Sequence, residues 1–113
     1  MSTDASFIAY LSDQMADAGA ITFRKMFGEY AVYLNGKVVA LVCDNQVFVK
    51  PTEAGRRLLG EELTEAPPYP GAKMFFNVTD GLDDREALAV LLRATECALP
   101  APKPRRARAK PAR

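Results

Sequence analysis

Hydrophobic residues recur at two different spacings along the chain. Over residues 4–18 and again over residues 84–98 they recur every three or four positions, which is the spacing of one helix face. Between residues 21 and 50, short β-branched and aromatic runs are instead separated by turn residues, which is typical of strands. The pattern predicts a helix at each end of a strand-rich centre.

The strand-rich centre is divided by three turn signals. Asn35-Gly36 predicts a tight hairpin, because a type I′ turn needs a positive φ at both central residues. Asp44-Asn45 predicts a second turn, and Gly28 predicts a bulge or turn. The strands predicted between these turns span residues 21–27, 30–34, 38–43 and 46–50.

The two hairpin turns also predict a register. With a two-residue loop at Asn35-Gly36, Val32 pairs with Val39 and Tyr30 with Leu41. With a two-residue loop at Asp44-Asn45, Leu41 pairs with Phe48 and Ala40 with Val49. One face is then expected to carry Tyr30, Val32, Leu34, Val39, Leu41 and Phe48. The other is expected to carry Ala31, Tyr33, Val38, Ala40, Val42, Val47 and Val49. A sheet with one wet face would alternate apolar and polar residues, so we expect helices over one face and a homodimer contact over part of the other.

The second half of the chain predicts three more elements. A short helix is expected from Pro51-Thr52-Glu53 to Gly60, and residues 61–72 are expected to form a loop. Lys73 to Thr79 predicts a fifth strand, and Asp83 with Glu86 has the spacing of a capping box for the last helix. The order α-β-β-β-β-α-β-α predicts an α+β, two-layer fold with about five antiparallel strands packed against helices.

Charge divides the 113 residues into a domain, residues 1–99, and a basic tail, residues 100–113. The body holds nine basic and fourteen acidic residues, a net charge of −5. The tail contains only Pro, Ala, Lys and Arg, and its cations are Lys103, Arg105, Arg106, Arg108, Lys110 and Arg113. Such a segment predicts disorder and non-specific contact with nucleic-acid phosphates.

Composition argues against several function classes. The chain has no histidine, the commonest general base and metal ligand, and two cysteines make no metal cluster or disulfide framework. No phosphate-binding or dinucleotide-binding spacing occurs. We therefore expect no enzymatic activity, no catalytic residues, no cofactor and no metal. The N-terminus has no leader pattern and the longest apolar run, Val38 to Cys43, is too short to span a bilayer, so a cytoplasmic protein with no membrane partner is expected.

Four segments of the chain are distinctive: Arg24-Lys25-Met26-Phe27-Gly28-Glu29-Tyr30, Tyr33-Leu34-Asn35-Gly36, Val47-Phe48-Val49-Lys50-Pro51 and Pro68-Tyr69-Pro70-Gly71-Ala72-Lys73. Together they resemble the N-terminal domain of the TfoX/Sxy competence regulators. The resemblance covers about residues 5–98 and implies a two-layer fold like that of type III secretion chaperones. It also implies a regulatory role linked to transcription, with Arg24, Lys25, Met26, Phe27, Gly28 and Tyr30 as motif positions. The regulators carry a second, helical domain, whereas only the tail is expected after residue 98.

Three local features leave alternatives open. Arg24 and Lys25 are adjacent on a strand, so they are expected on opposite faces, as cations that protect an edge strand. The alternative is a small-molecule or anion site. Pro67-Pro68-Tyr69-Pro70 predicts a rigid loop or a ligand for an aromatic groove. The carboxylates nearest the strands, Glu29, Asp44 and Glu53, include two with turn or helix-start roles. The sequence thus predicts a non-enzymatic regulatory or protein-interaction module, with nucleic-acid binding through the tail as the alternative.

Overall fold

The computed structural model of the chain describes residues 3–26 and 29–100. The predictions for Phe27 and Gly28, and those for the tail from residue 101 onward, lie outside the described residues. The predicted division into residues 1–99 and 100–113 therefore stays a prediction.

The described residues form three α-helices and one antiparallel sheet of six strands. The helices are α1 (Ala5–Gln14), α2 (Glu53–Leu59) and α3 (Arg85–Ala98). The strands are β1 (Ile21–Met26), β2 (Glu29–Leu34), β3 (Lys37–Cys43), β4 (Gln46–Val49), β5 (Glu65–Ala66) and β6 (Phe75–Asn77), in the spatial order β1-β2-β3-β4-β6-β5. The predicted α+β, two-layer class is confirmed.

The sheet has one strand more than the sequence predicts. The extra strand, β5, lies inside the segment predicted as a loop and pairs with β6, Ala66 opposite Phe75. The predicted strand from Lys73 to Thr79 is shortened to Phe75–Asn77. It ends there because the Asn77 side chain accepts hydrogen bonds from the backbone N–H and the hydroxyl of Thr79, at 3.1 and 2.7 Å, which turns the chain.

The predicted pairing of β2 with β3 is right beside the turn and wrong beyond it. Tyr33 pairs with Val38, but Val32 pairs with Ala40 rather than with Val39, because the register shifts at this point. A β-bulge places two residues of one strand opposite one of its neighbour. Here it allows Val39 and Ala40, both fully buried, to join the same core.

The bulge reverses the predicted faces of every strand residue beyond it. Tyr30 pairs with Val42 instead of Leu41, whereas the predicted pairs Leu41–Phe48 and Ala40–Val49 are confirmed. The helix-covered face carries Tyr30, Val32, Leu34, Val39, Ala40, Val42, Val47, Val49 and Phe76. The opposite face, called the open face below, carries Ala31, Tyr33, Val38, Leu41, Cys43 and Phe48.

The helices begin and end at residues that the local sequence explains. The Thr52 hydroxyl accepts a hydrogen bond from the backbone N–H of Gly55 at 3.0 Å and caps α2. For α3 the predicted capping residue is wrong by one position, because Asp84, not Asp83, accepts from the N–H of Ala87 at 3.1 Å. The first helix is shorter than predicted, since a 3₁₀ turn over Ala16–Ala18 replaces its last turn.

The main core lies between the helices and one face of the sheet. Leu11 of α1 and Leu92 of α3 are fully buried there with Val32 and Val42 of the sheet. Glycine allows α2 to approach closely, since a Cβ on Gly55 would lie 3.2 Å from the Phe76 ring. All three helices therefore contribute to the same side of the sheet, as the two-layer class requires. None of the helices in the described part of the chain combines the length and the apolar character that a membrane crossing needs.

Candidate functional site

The strand pairs β1–β2 and β3–β4 close at the same end of the sheet. Met26 pairs with Glu29 at the end of β1 and β2, and Cys43 pairs with Gln46 at the end of β3 and β4. In an antiparallel meander alternate turns lie at the same end, so these four residues are brought together. The Asn35-Gly36 turn lies at the opposite end.

The carboxylate of Glu29 holds this end together. Its Oε1 accepts hydrogen bonds from the Thr3 hydroxyl at 2.7 Å and from the backbone N–H of Asp44 at 3.0 Å. Asn45 adds a second link, because its Oδ1 accepts from the N–H of Asp4 at 2.9 Å. The N-terminal segment, the start of β2 and the β3–β4 turn are therefore held in one network.

The open face carries a groove beside this network, called the open-face groove below. Its volume is about 1010 Å³, and its floor includes Leu41 and Phe48. The segment Pro67–Pro70 forms the opposite wall, with Pro68 buried. The full lining is Met26, Glu29, Tyr30, Leu41, Cys43, Asp44, Gln46, Phe48, Ala66, Pro67, Pro68, Tyr69 and Pro70.

The lining of the groove is apolar and aromatic, with acidic charge. Glu29 and Asp44 are its charged lining residues, and both are acids. Tyr69 and Met26 are 57% and 46% exposed, so two large side chains meet the solvent at the rim of the groove. Phe48 at the floor is only 4% exposed, although it lies outside the main core cluster. The groove therefore combines a packed floor with an exposed apolar rim, an arrangement suited to binding another molecule.

Cys43 lies in the lining of the groove, and its thiol is kept in the protonated form. Burial raises the pKa of the Cys43 thiol, and the negative charges of Glu29 and Asp44 raise it further. The thiolate is the nucleophile in cysteine chemistry. This environment therefore favours a small apolar group over a reactive one.

The structure separates the two cations of the family motif. Arg24 lies opposite Ala31 on the open face, whereas Lys25 lies opposite Tyr30 on the helix-covered face. Both side chains are exposed, and neither lines the groove. The anion-site alternative gains no support from this placement, since an anion site needs convergent cations. Met26 of the same motif, in contrast, lies on the open face and lines the groove, whereas Tyr30 borders the groove from the helix-covered face, where it packs against the main core.

The three candidate carboxylates do not form one site. Glu29 and Asp44 meet at the groove, whereas Glu53 is the first residue of α2. Within residues 3–26 and 29–100, no three His, Cys, Asp or Glu side chains come together in a way that could hold a metal ion.

A second cleft lies between α2, β6 and the start of α3. Its volume is about 670 Å³, and its apolar lining includes Leu58 and Val90, which are 51% and 39% exposed. Asp80, Asp84 and Glu86 supply acidic groups. It contains no aromatic residue and no proline in its lining, which distinguishes it from the open-face groove.

Comparison with known protein families agrees with the resemblance described from the sequence. The family model described as the TfoX N-terminal domain matches residues 13–98, which is most of the chain. The chain belongs to the TfoX N-terminal domain family. The resemblance stated from the sequence is thereby confirmed. Within this TfoX N-terminal domain, the matched region contains the whole lining of the open-face groove.

A relative of similar length is found in Spirochaeta aurantia. It is the uncharacterised 12.7 kDa protein of the trpE 5′ region, and it is 44% identical to this chain over 110 residues. The match covers 97% of this chain and 95% of that protein. The similarity therefore extends over nearly the whole length of both chains.

Sequence reasoning singled out most of the groove residues but did not place them together. The two turns at one end of a meander are a signal that was present in the sequence, and it would have joined Glu29 to Asp44. The Pro67–Pro70 wall had no such signal. It reaches the groove because β6 pairs with β4 and β5 pairs with β6.

Proposed function

We propose that this TfoX N-terminal domain protein is a non-enzymatic regulatory module that binds another polypeptide in its open-face groove. The family is of a regulatory type, which supports the first part of the proposal. The observation that carries the second part is the exposed apolar rim of the groove, above all Tyr69 and Met26. Surfaces of this kind on soluble domains commonly mark interaction sites.

The chemistry of the groove favours an extended segment rich in proline and arginine. Proline-rich segments bind grooves lined by aromatic residues, since their polyproline II conformation is already formed before binding. Phe48, packed at the floor, and Tyr69, exposed at the rim, supply the aromatic lining on the open face. The carboxylates of Glu29 and Asp44 suit basic side chains, and guanidinium groups also stack on aromatic rings.

The same residues argue for binding rather than catalysis. General acid–base chemistry needs a carboxylate within reach of the substrate and free to exchange a proton. Glu29 instead uses Oε1 to hold Thr3 and the turn at Asp44. The protonated Cys43 thiol is likewise a weak nucleophile.

The proposal is tested by titrating the full chain with two short synthetic peptides, one of alternating proline and arginine and one of alternating proline and glutamate. We expect only the proline–arginine peptide to bind. Tyr69→Ala should weaken its affinity about fivefold or more, because aromatic anchors contribute much of the binding energy at interfaces. Leu58→Ala is the matched control, because Leu58 is similarly exposed but lies in the second cleft. Equal binding of both peptides, or equal loss in both variants, would refute the proposal.

The homodimer expected from the sequence would use the same open face, so it is an alternative occupant. Sedimentation of the full chain separates the two. If the full chain is a monomer and binds the basic peptide, the proposal that the groove binds another polypeptide is supported. A dimer that the peptide cannot enter would show instead that a second copy fills it.

The basic tail favours a second candidate function, non-specific nucleic-acid binding. Its six cations and its lack of acidic residues suit phosphate backbones, whose neutralisation releases counterions. We expect the logarithm of the binding constant for duplex DNA to fall against the logarithm of salt concentration with a slope of about −3 to −5. A full-length variant with all six tail cations changed to glutamine should lose this binding. Undiminished binding by that variant would exclude the tail as the contact.

A further inference from the structure

We infer that the open-face groove is occupied by the chain's own basic tail, which competes there with partner polypeptides. The inference rests on the proposed function, because it assigns a regulation to the same groove. Two observations support it: the chemical match between tail and groove, and the place where the described chain ends.

The tail has the composition that the groove favours. Residues 100–113 contain four prolines and six cations without one acidic residue. The charged lining residues of the groove are the acids Glu29 and Asp44, and the exposed ring of Tyr69 offers a face for arginine. Asp4, joined to the same turn by Asn45, adds acidic charge beside the groove. The tail and the groove are therefore complementary in charge and in preferred backbone conformation.

The end of α3 is held at a defined place on the sheet. The ammonium of Lys37 donates hydrogen bonds to the carbonyl oxygens of Glu96 and Leu99, at 2.9 and 3.1 Å. Lys37 is the first residue of β3, and Leu41 of the groove floor lies four residues along the same strand. The tail thus leaves the domain close to the end of a strand that leads to the groove.

The tail is long enough to reach the groove from that point. At the usual rise per strand residue, the path along β3 from Lys37 is about 13 Å to Leu41 and about 23 Å to Asp44, the acid at the far end of the groove. Passing from the helix layer around the end of the sheet adds about 10 Å, the usual spacing between packed layers. Thirteen residues in polyproline II conformation span about 40 Å. The last part of the tail can therefore lie across the groove without strain on α3.

Attachment makes even a weak contact effective. A short flexible linker gives a tethered segment an effective concentration of about 1 mM. A tail with an intrinsic dissociation constant of about 0.1 mM would then fill the groove about nine-tenths of the time, and a partner's apparent affinity would fall about tenfold. The tail would therefore exclude partners whose affinity for the groove is too low to displace it.

The experiment compares backbone amide NMR spectra of the full chain and of the full-length variant whose six tail cations are glutamine. We expect the resonances of Leu41, Asp44, Gln46 and Tyr69 to differ between the two proteins, while those of Leu58 and Val90 in the second cleft coincide. Adding about 0.5 M salt should move the full chain toward the variant, because screening weakens the tail's attraction. Coincident groove resonances in the two proteins would overturn the inference.

Single substitutions provide a matched pair on the full chain. Asp44→Asn removes one charge at the groove, and asparagine tolerates the positive φ of 54° at this position. It should shift the groove resonances toward those of the tail variant. Asp80→Asn, which removes a charge at the second cleft, should not.

Two further outcomes separate this inference from the proposed function. Shifts that grow with protein concentration together with a doubled mass would overturn the inference in favour of a second copy. If the proline–arginine peptide binds both proteins with equal affinity at the groove, the tail does not compete, and the inference fails while the proposed function stands. About tenfold tighter binding to the tail variant supports both. If the peptide binds neither the full chain nor the tail variant, but the groove resonances still differ between them, the proposed function is refuted while the tail's occupancy of the groove stands.

Discussion

The Glu29 carboxylate accepts a hydrogen bond from the backbone N–H of Asp44 at 3.0 Å, although fifteen positions separate the two residues. This contact joins the start of β2 to the turn between β3 and β4. It also places both acidic groups at the rim of the open-face groove. Glu29 therefore both contributes negative charge to the groove and holds the adjoining turn in place. Substitutions can separate these two roles.

Glu29→Ala and Glu29→Gln should separate charge from structure. Alanine removes the acceptor for Thr3 and Asp44 and should lower the free energy of unfolding by about 1 kcal/mol or more. Glutamine retains an acceptor oxygen and should cost less. Chemical denaturation of the two variants measures the difference, and equal destabilisation would mean that the charge itself, not the hydrogen bonds, holds the turn.

The two thiols should react at very different rates. Cys97 is exposed, whereas Cys43 is buried and its pKa is raised by burial and by Glu29 and Asp44. With a chromogenic disulfide reagent near neutral pH, we expect the Cys97 thiol to react rapidly. The Cys43 thiol should react at least about tenfold more slowly, since the thiolate is the reactive form. Cys97→Ala should abolish the fast phase. A fast phase that survives in this variant would contradict the buried position of Cys43.

The close approach of α2 to the core should make Gly55 intolerant of a side chain. A Cβ there would lie 3.1 to 3.3 Å from atoms of Thr52, Phe76 and Leu91. We expect Gly55→Ala to lower the free energy of unfolding by about 1 to 3 kcal/mol through overpacking. Gly81→Ala is the control, because its Cβ would have no atom within 4 Å. Similar stability of the two variants in denaturation would show that α2 lies further from the sheet.

The ion pair between Lys37 and Glu96 predicts a dependence of stability on pH. Their Nζ and Oε2 atoms are 2.9 Å apart, and the hydrogen bond and charge of Lys37 lower the pKa of the Glu96 carboxyl. A lowered folded-state pKa gives stability that is present above the unfolded pKa of about 4.3 and is lost as pH falls below it.

Glu96→Gln should therefore flatten the acid limb of the curve of unfolding free energy against pH. Lys37→Met should flatten the same limb, and the double variant should add nothing further. Unfolding curves collected from neutral pH to pH 3 test this expectation. An acid limb as steep in both single variants as in the parent chain would contradict the pairing.

The class of the fold was predictable because strand and helix periodicities agree with the turn residues along the chain. Asn35 has a positive φ of 54° and Gly36 one of 84°, as a tight hairpin requires, and Asp44 and Asn45 adopt positive values of 54° and 59°. A positive φ at a turn depends on the identity of single residues, so it can be recognised in the sequence. Elements that depend on them were therefore predicted close to their observed bounds.

The assignment of faces was not predictable from the same pattern. The bulge at Val39 carries no glycine and no proline, and alternation alone gives no reason to break the register there. The reason is tertiary: Val39 and Ala40 both fit the core beneath the helices. A shift of one residue moves every later side chain to the other face, so Leu41 and Phe48 were assigned to the wrong side.

The groove was predictable only in part. The sequence predicts an apolar second face, and Phe48 and Leu41 supply its floor. The wall at Pro67–Pro70 depends on β5, a strand of two residues whose pairing with β6 is too short to leave a sequence pattern. Long-range pairing of this kind is decided by the whole sheet.

Photo-crosslinking can show whether the open-face groove is the surface that binds a polypeptide. A proline–arginine peptide carrying a photoreactive group would be bound to the full-length tail variant and irradiated, and the attachment sites would be identified by mass spectrometry. We expect attachment at Met26, Leu41 and Tyr69, with loss of the adducts when an unlabelled peptide is added in excess. Attachment at Leu58 and Val90 in the second cleft, with the groove residues unlabelled, would contradict it.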